Sequence, residues 1–179
     1  MREREIEIGT ADGQMTTFIC QPDEAGPYPV AVLYMDGVGY RDEIKAHARR
    51  FAAGGYVCVV PDLFYRSGRG VLFDVAAFRD PQGPEAQRLR QAAASVTPAA
   101  VVADTRATLA TIADDPAAGS GPMACVGYCM GARAALAAAA GLPDVFAAAA
   151  GIHPGALVTD QPDSPHHYLA RVQGEVYFA

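Results

Sequence analysis

Five consecutive residues, Gly127-Tyr128-Cys129-Met130-Gly131, constrain this chain more than any other stretch. An apolar run over 122–126 precedes them, and an alanine-rich segment over 130–140 follows. A strand that turns at once into a helix forces the residue at the corner into a strained backbone conformation. Side chains two positions to either side would collide, and glycine removes the collision. The Cys129 thiol then projects from the first turn of a helix, where the dipole favours thiolate. The Met130 N–H faces the same point and is placed to hold an oxyanion. The competing reading, a buried structural cysteine in a glycine-rich turn, suits Cys125 inside the strand. For Cys129 it leaves both flanking glycines unexplained.

The rest of the chain alternates between the two periods that such a corner requires. Glu5-Ile6-Glu7-Ile8 and the run over 15–20, joined by Ala11-Asp12-Gly13, read as an antiparallel hairpin. Residues 30–35 and 56–60 are continuous apolar runs, as in strands covered on both faces. Between them Asp42 is placed to cap a helix carrying Ile44, Ala48 and Phe51, with Gly54-Gly55 as its stop. Thr97-Pro98 opens a second helix, with Val101, Thr105, Leu109 and Ile112 at helical spacing. Residues 145–152 and 174–179 read as two more strands. Residues 66–96, with Gly68, Gly70, Pro81, Gly83 and Pro84, read as an irregular insertion. Strands alternating with helices predict one α/β domain over 1–179 with a mostly parallel sheet, helices on both faces and an antiparallel start. A chain that finishes inside a buried-type strand lacks the helix that normally covers it. The domain is therefore expected to be incomplete at its C-terminal end.

Composition narrows the function classes. Hydrophobic residues make up 51% of the 179 residues and charged residues 19%, as in a globular domain. The formal charge is −6, and no Lys/Arg cluster forms the basic face that nucleic acid requires. No apolar run approaches the ~18 residues of a membrane span. The N-terminus leads straight into an alternating stretch with no signal-peptide core. Cys20, Cys58, Cys125 and Cys129 form no CxxC pair and no zinc spacing. A reducing cytoplasm and a metal-free, cofactor-free site are the expectation.

Together, the elbow at 127–131, the segment Pro61-Asp62-Leu63-Phe64-Tyr65-Arg66 and the loop Asp36-Gly37-Val38-Gly39 resemble the dienelactone hydrolase family of α/β-hydrolases in content, order and separation. The likeness runs from about Thr16 to Ala179 and is weakest over 67–96. It implies hydrolysis of a lactone or carboxylic ester, a small-molecule substrate, through a thioacyl intermediate on a Cys-His-Asp triad without a cofactor. It implies Cys129 as nucleophile, Gly37 and Met130 as oxyanion-hole donors, and Asp36 in the place of an acidic residue that contacts the resting thiol. Three departures stand out. Asp36 is one methylene shorter than the family's Glu, Ala132 replaces a frequent second glycine, and the family's Asp and His lie beyond residue 179. A non-catalytic α/β-hydrolase scaffold that binds a ligand or partner is the alternative, and a thiol redox protein a weaker one.

Other titratable residues carry two readings each. His153, after the run over 145–152, falls at the carboxyl edge of the sheet, where it either lines a pocket or is an ordinary loop histidine. His166-His167 and His47 read as surface residues. Asp62 reads as a turn organiser. Asp160 and Asp163 precede the last strand and are not assigned as the triad acid. Arg66, Arg69 and Arg79 are each able to hold a substrate carboxylate.

Overall fold

The computed structural model describes residues 1–75 and 79–179. One seven-stranded sheet runs through it in the order β1-β2-β4-β3-β5-β6-β7. The hairpin of β1 (Arg2–Thr10) and β2 (Gly13–Gln21) is antiparallel, and β2 joins β4 (Val57–Pro61) antiparallel. From there β3 (Val30–Tyr34), β5 (Met123–Tyr128), β6 (Phe146–Ile152) and β7 (Glu175–Phe178) are all parallel. The expected mostly parallel sheet with an antiparallel start is therefore observed.

Helices cover both faces because side chains alternate along each strand. Phe18 of β2 turns towards α1 (Asp42–Ala53), whose Lys45 and Arg49 lie over its ring at 5.6 and 5.5 Å. Its neighbour Ile19 turns the other way, into a cluster with Val30, Val59 and Ile112 of α3 (Pro98–Ile112). Beside α3 lies α4 (Met130–Gly141), whose alanines are almost all buried. Short side chains bring this helix close to the sheet, and Gly141 has no room for a Cβ beside Val102.

Several local readings need correction. Asp42 is the first residue of α1 and does not cap it; the N-cap is Arg41, extended at φ −153°, with no side-chain cap. The end of α1 is as expected, with Gly54 at the C-cap and Gly55 at φ +87°. The region over 66–96 contains a helix, α2 (Pro84–Ala94). Its Pro84 stands at the first helical position, where a missing N–H costs nothing, so the Gly83-Pro84 pair opens an element instead of breaking one. Residues 76–78 of that region lie outside the described residues. Thr97 caps α3 as read, accepting from the Ala100 N–H at 3.1 Å. β5 runs on through Gly127 and Tyr128, which pair with Gly151 and Ile152.

The outer hairpin strand is fastened by charge. Glu3 pairs with Arg49, Glu5 with Lys45, Glu7 with Arg69 and Arg4 with Asp115. Deeper in, Asp104 of α3 is buried and takes both guanidinium nitrogens of Arg66, at 2.7 and 2.8 Å, plus the Tyr65 hydroxyl at 2.9 Å. Among the described residues no buried side-chain polar atom lacks a partner. No described helix is long and apolar enough to cross a membrane.

Asp62 follows β4, is 1% exposed, and accepts the Phe64 N–H at 2.9 Å, so it organises a turn as read. Burial without a cation raises its pKa from 3.8 to about 6, the Phe64 bond acting in the opposite direction. The folded state holds this proton more tightly than the unfolded state, so its contribution falls as pH rises from about 4 to 6. The ionised form above pH 6 costs up to about 3 kcal/mol. Asp62→Asn keeps the acceptor and removes the ionisation. Urea unfolding at several pH values should find the variant equal to wild type near pH 4 and more stable at pH 7.5. A pH-independent difference would contradict this.

Candidate active site

The strand order reverses at β3: β4 lies on one side of it and β5 on the other. Connections leave the two strand ends in opposite directions there, opening a crevice at the carboxyl edge. β3 delivers Asp36 and Gly37 to that crevice, and β5 delivers Cys129 beside them, through the register pair Tyr34↔Gly127.

Cys129 sits at φ 53°, ψ −112°, between β5 and α4, as its N-cap residue. This is the strained corner that the two glycines imply. A Cβ on Gly127 would overlap the Gly131 carbonyl and approach the Ala132 nitrogen at 2.6 Å. A Cβ on Gly131 would press into the carbonyls of Tyr34 and Met35, 2.5 Å from the latter. Neither contact is with a flexible side chain, so neither can relax cheaply. The corner is held by two hydrogen bonds, from Cys129 N–H to Ile152 O at 2.9 Å and from Ala132 N–H to Cys129 O at 3.1 Å. Ala132 is accommodated by a glycine elsewhere: a Cβ on Gly151 of β6 would stand 3.0 Å from the Ala132 Cβ.

Cys129 is half-buried, whereas Cys20, Cys58 and Cys125 are buried. Burial raises the pKa of those three thiols, and the Cys125 S–H points to Ala135 O at 3.3 Å. Met130 opens α4, so its N–H is one of the four without an intrahelical acceptor. Gly37 is buried in the facing loop.

That loop is set by an ion pair not anticipated in the sequence. Arg41 spans the Asp36 carboxylate with both terminal nitrogens, Nη1 to Oδ1 at 2.6 Å and Nη2 to Oδ2 at 2.9 Å. The same Arg41 nitrogen donates to Gly39 O at 3.0 Å, and Val38 N–H donates to Asp36 Oδ1 at 2.9 Å. Asp36 holds the Arg41 guanidinium above its usual pKa. The signal was available as an acid and a base five residues apart across Gly37 and Gly39.

His47 also differs from its reading as a surface residue. It is half-buried and stacks on Tyr128, centroids 4.7 Å apart and planes at 27°. Cys125 and Gly127 face α4, so alternation turns Tyr128 towards α1, and His47 of α1 meets it. Burial first, then Arg50 and Arg41, push the His47 pKa below its usual value, with Asp36 acting the other way. His153 stands at the carboxyl end of β6 as expected, exposed, at φ 42°, with its ring 6.2 Å from Tyr128. His166 and His167 are exposed. Two arginines considered for substrate are engaged elsewhere: Arg66 with Asp104 and Asp12, Arg69 with Glu7.

Beside Met130, a cavity of about 380 Å³ runs between α3, α4 and the loop after β6, reached by Thr97, Arg133, Gln161, Asp163 and Tyr168. That volume and its mixed lining suit a small organic molecule. No three His, Cys, Asp or Glu side chains among the described residues converge as metal ligands.

Comparison with known proteins follows the same outline. A family model described as the dienelactone hydrolase family matches residues 15–179. A "Putative carboxymethylenebutenolidase" of Methylorubrum extorquens is 30% identical over 176 residues, covering 96% of this chain. A protein of the same name from Synechocystis sp. is 30% identical over 177 residues, also covering 96% of this chain. The chain spans 57% of the length of the first and 68% of the second. The crystal structure of a "Putative Dienelactone Hydrolase" of Klebsiella pneumoniae superposes with a TM-score of 0.81 at 21% identity, covering 99% of this chain and 71% of that one. At that identity the likeness is one of fold.

The exposure difference among the thiols gives a direct test. Iodoacetamide at pH 7.5 should label Cys129 at least roughly tenfold faster than any other cysteine, because buried thiols react only on opening. Peptide mapping by mass spectrometry reads the order. Equal labelling of Cys125 and Cys129 would remove Cys129 as a nucleophile.

Proposed function

This chain belongs to the dienelactone hydrolase family, and from that premise we propose that it carries the nucleophilic half of a hydrolase acting on a small lactone or carboxylic ester. The observation that carries the reading is Cys129 at φ 53°, ψ −112°, between two glycines whose positions admit no Cβ. Such strain is kept where it aims a reactive group.

In the proposed reaction the Cys129 thiolate attacks the carbonyl carbon. The carbonyl π pair moves to oxygen, and the resulting oxyanion is received by the N–H groups of Gly37 and Met130. Collapse expels the alkoxide, protonated as it leaves, and forms a thioester on Cys129. With a lactone the freed hydroxyl stays attached to the acyl group. Water then attacks the thioester, releasing the acid and the thiol. Asp36 is assigned the placement of the Gly37 peptide through Arg41, besides the contact with the resting thiol that the family pattern implies.

The triad order in this fold is nucleophile, acid, base. On that order we propose that the acid and base belong to chain beyond residue 179, and that His153 borders the crevice at the carboxyl edge of the sheet without being the triad base. The cytoplasm, as a reducing compartment, suits four free thiols.

The test is turnover of p-nitrophenyl acetate. The 179-residue chain should release nitrophenol in a slow burst and turn over poorly, because loss of triad partners leaves only a small residual, roughly 10³–10⁴-fold over water in the serine-protease case. A form extended past residue 179 by its own reading frame should turn over fully, and Cys129→Ala should abolish that. Full turnover by the verified 179-residue chain, lost in His153→Ala, would move the base to His153. No acylation by either form would favour the binding scaffold.

A second measurement separates the two roles of Asp36. If its carboxylate faces the thiol, Asp36→Asn should shift the pH profile of Cys129 alkylation to lower pH, because a negative neighbour raises a thiol pKa. An unshifted profile with weakened acylation would leave only the placement of Gly37.

A further inference from the structure

On the outer side of the α3–α4 pair lies a groove of about 500 Å³ that the proposed chemistry does not use. One wall is α3, which presents Ala99, Val102, Ala103 and Arg106 at helical spacing. The floor is α4 at Ala137 and Gly141, where the missing Cβ lets Val102 close against the helix. The third side is the turn after β6, where Arg171 lies over the Tyr168 ring at 5.7 Å. The lining contains two arginines and no acidic residue, and is otherwise mostly apolar.

The chain carries a net −6, and seven of its basic side chains, Arg4, Arg41, Lys45, Arg49, Arg66, Arg69 and Arg88, lie against carboxylates. Arg106 and Arg171 have no carboxylate within 4 Å among the described residues. Two unneutralised guanidiniums beside a mostly apolar groove repel a cation and give a neutral ligand only the apolar floor. They favour an anion with an apolar body, because each guanidinium matches a carboxylate in geometry and charge.

We propose that the α3–α4 groove binds a free single-chain carboxylate of medium length, its head between Arg106 and Arg171 and its chain along Ala99, Ala103, Ala137 and Gly141. A concavity of this volume suits one small molecule and not a flat lipid surface. The groove shares Pro98, Ala137 and Tyr168 with the cavity that reaches Met130. Binding here is independent of the ester chemistry and is measured without it.

Isothermal titration of the full 179-residue chain with decanoate, below its micelle concentration, is the test. Decanoate should bind at one saturable site, and decyltrimethylammonium, with the same tail and opposite charge, should not. Arg106→Gln with Arg171→Gln should weaken decanoate by at least roughly tenfold, since charge-assisted hydrogen bonds to the carboxylate are lost. Both residues are exposed, so the fold should survive, and amide NMR shifts should fall on 98–106 and 137–141. Three results would each overturn the proposal. One is equal binding of the ammonium, and another is unchanged affinity in the double variant. The third is binding to phosphatidylglycerol vesicles with none to monomeric decanoate.

Discussion

The first turn of α4 rests directly on the backbone of β3. At Gly131 the helix lies so close to the Tyr34 and Met35 carbonyls that even one methyl group would be refused. This contact fixes the distance between the end of β3 and the end of β5. It therefore sets the first turn of α4 against the end of β3, where the loop over 36–41 begins, before any side chain is considered. A glycine at 127 lets the chain turn back on itself within one residue, and the strain is concentrated at Cys129. The fold around it supplies rigidity: β5 is paired on both sides, and α4 is buried along most of its length.

Around that contact the electrostatics divide into two sorts. Inside the crevice, charge is used to set backbone, with Arg41 drawing the loop over 36–41 around the Asp36 carboxylate. At the periphery, charge fastens the hairpin, whose outer strand is an open edge of the sheet. The exposed pairs there contribute little each, whereas the buried Asp104–Arg66 pair ties α3 to the turn after β4 and would be costly to break by halves.

Much of this was legible because backbone sterics write themselves into glycine positions and strand burial into apolar runs. Residues 127–131 announced both the turn and the neighbouring elements, and Thr97-Pro98 announced the start of α3. What escaped was information held between elements distant in sequence. The stacking of His47 on Tyr128 depends on which way β5 alternates relative to α1, and no local pattern states that. Ala132 read as a departure from the family, yet its compensation lies at Gly151, on the next strand. Helix α2 was hidden because Gly83-Pro84 has the same composition whether it ends an element or begins one.

The tightness of α4 has a consequence for how such a scaffold can diversify. From Gly131 to Ala140 every residue but Arg133 is buried, and almost all are alanine or glycine. A larger side chain at those positions meets packed backbone and costs on the order of 1–3 kcal/mol. The helix that follows Cys129 is thus nearly closed to innovation, and so is the end of β3 beneath it. New selectivity has to be written in segments such as 93–97 and 161–168, which contribute to the lining of the cavity beside Met130. Chemistry and specificity occupy separate, unequally mutable parts of one chain.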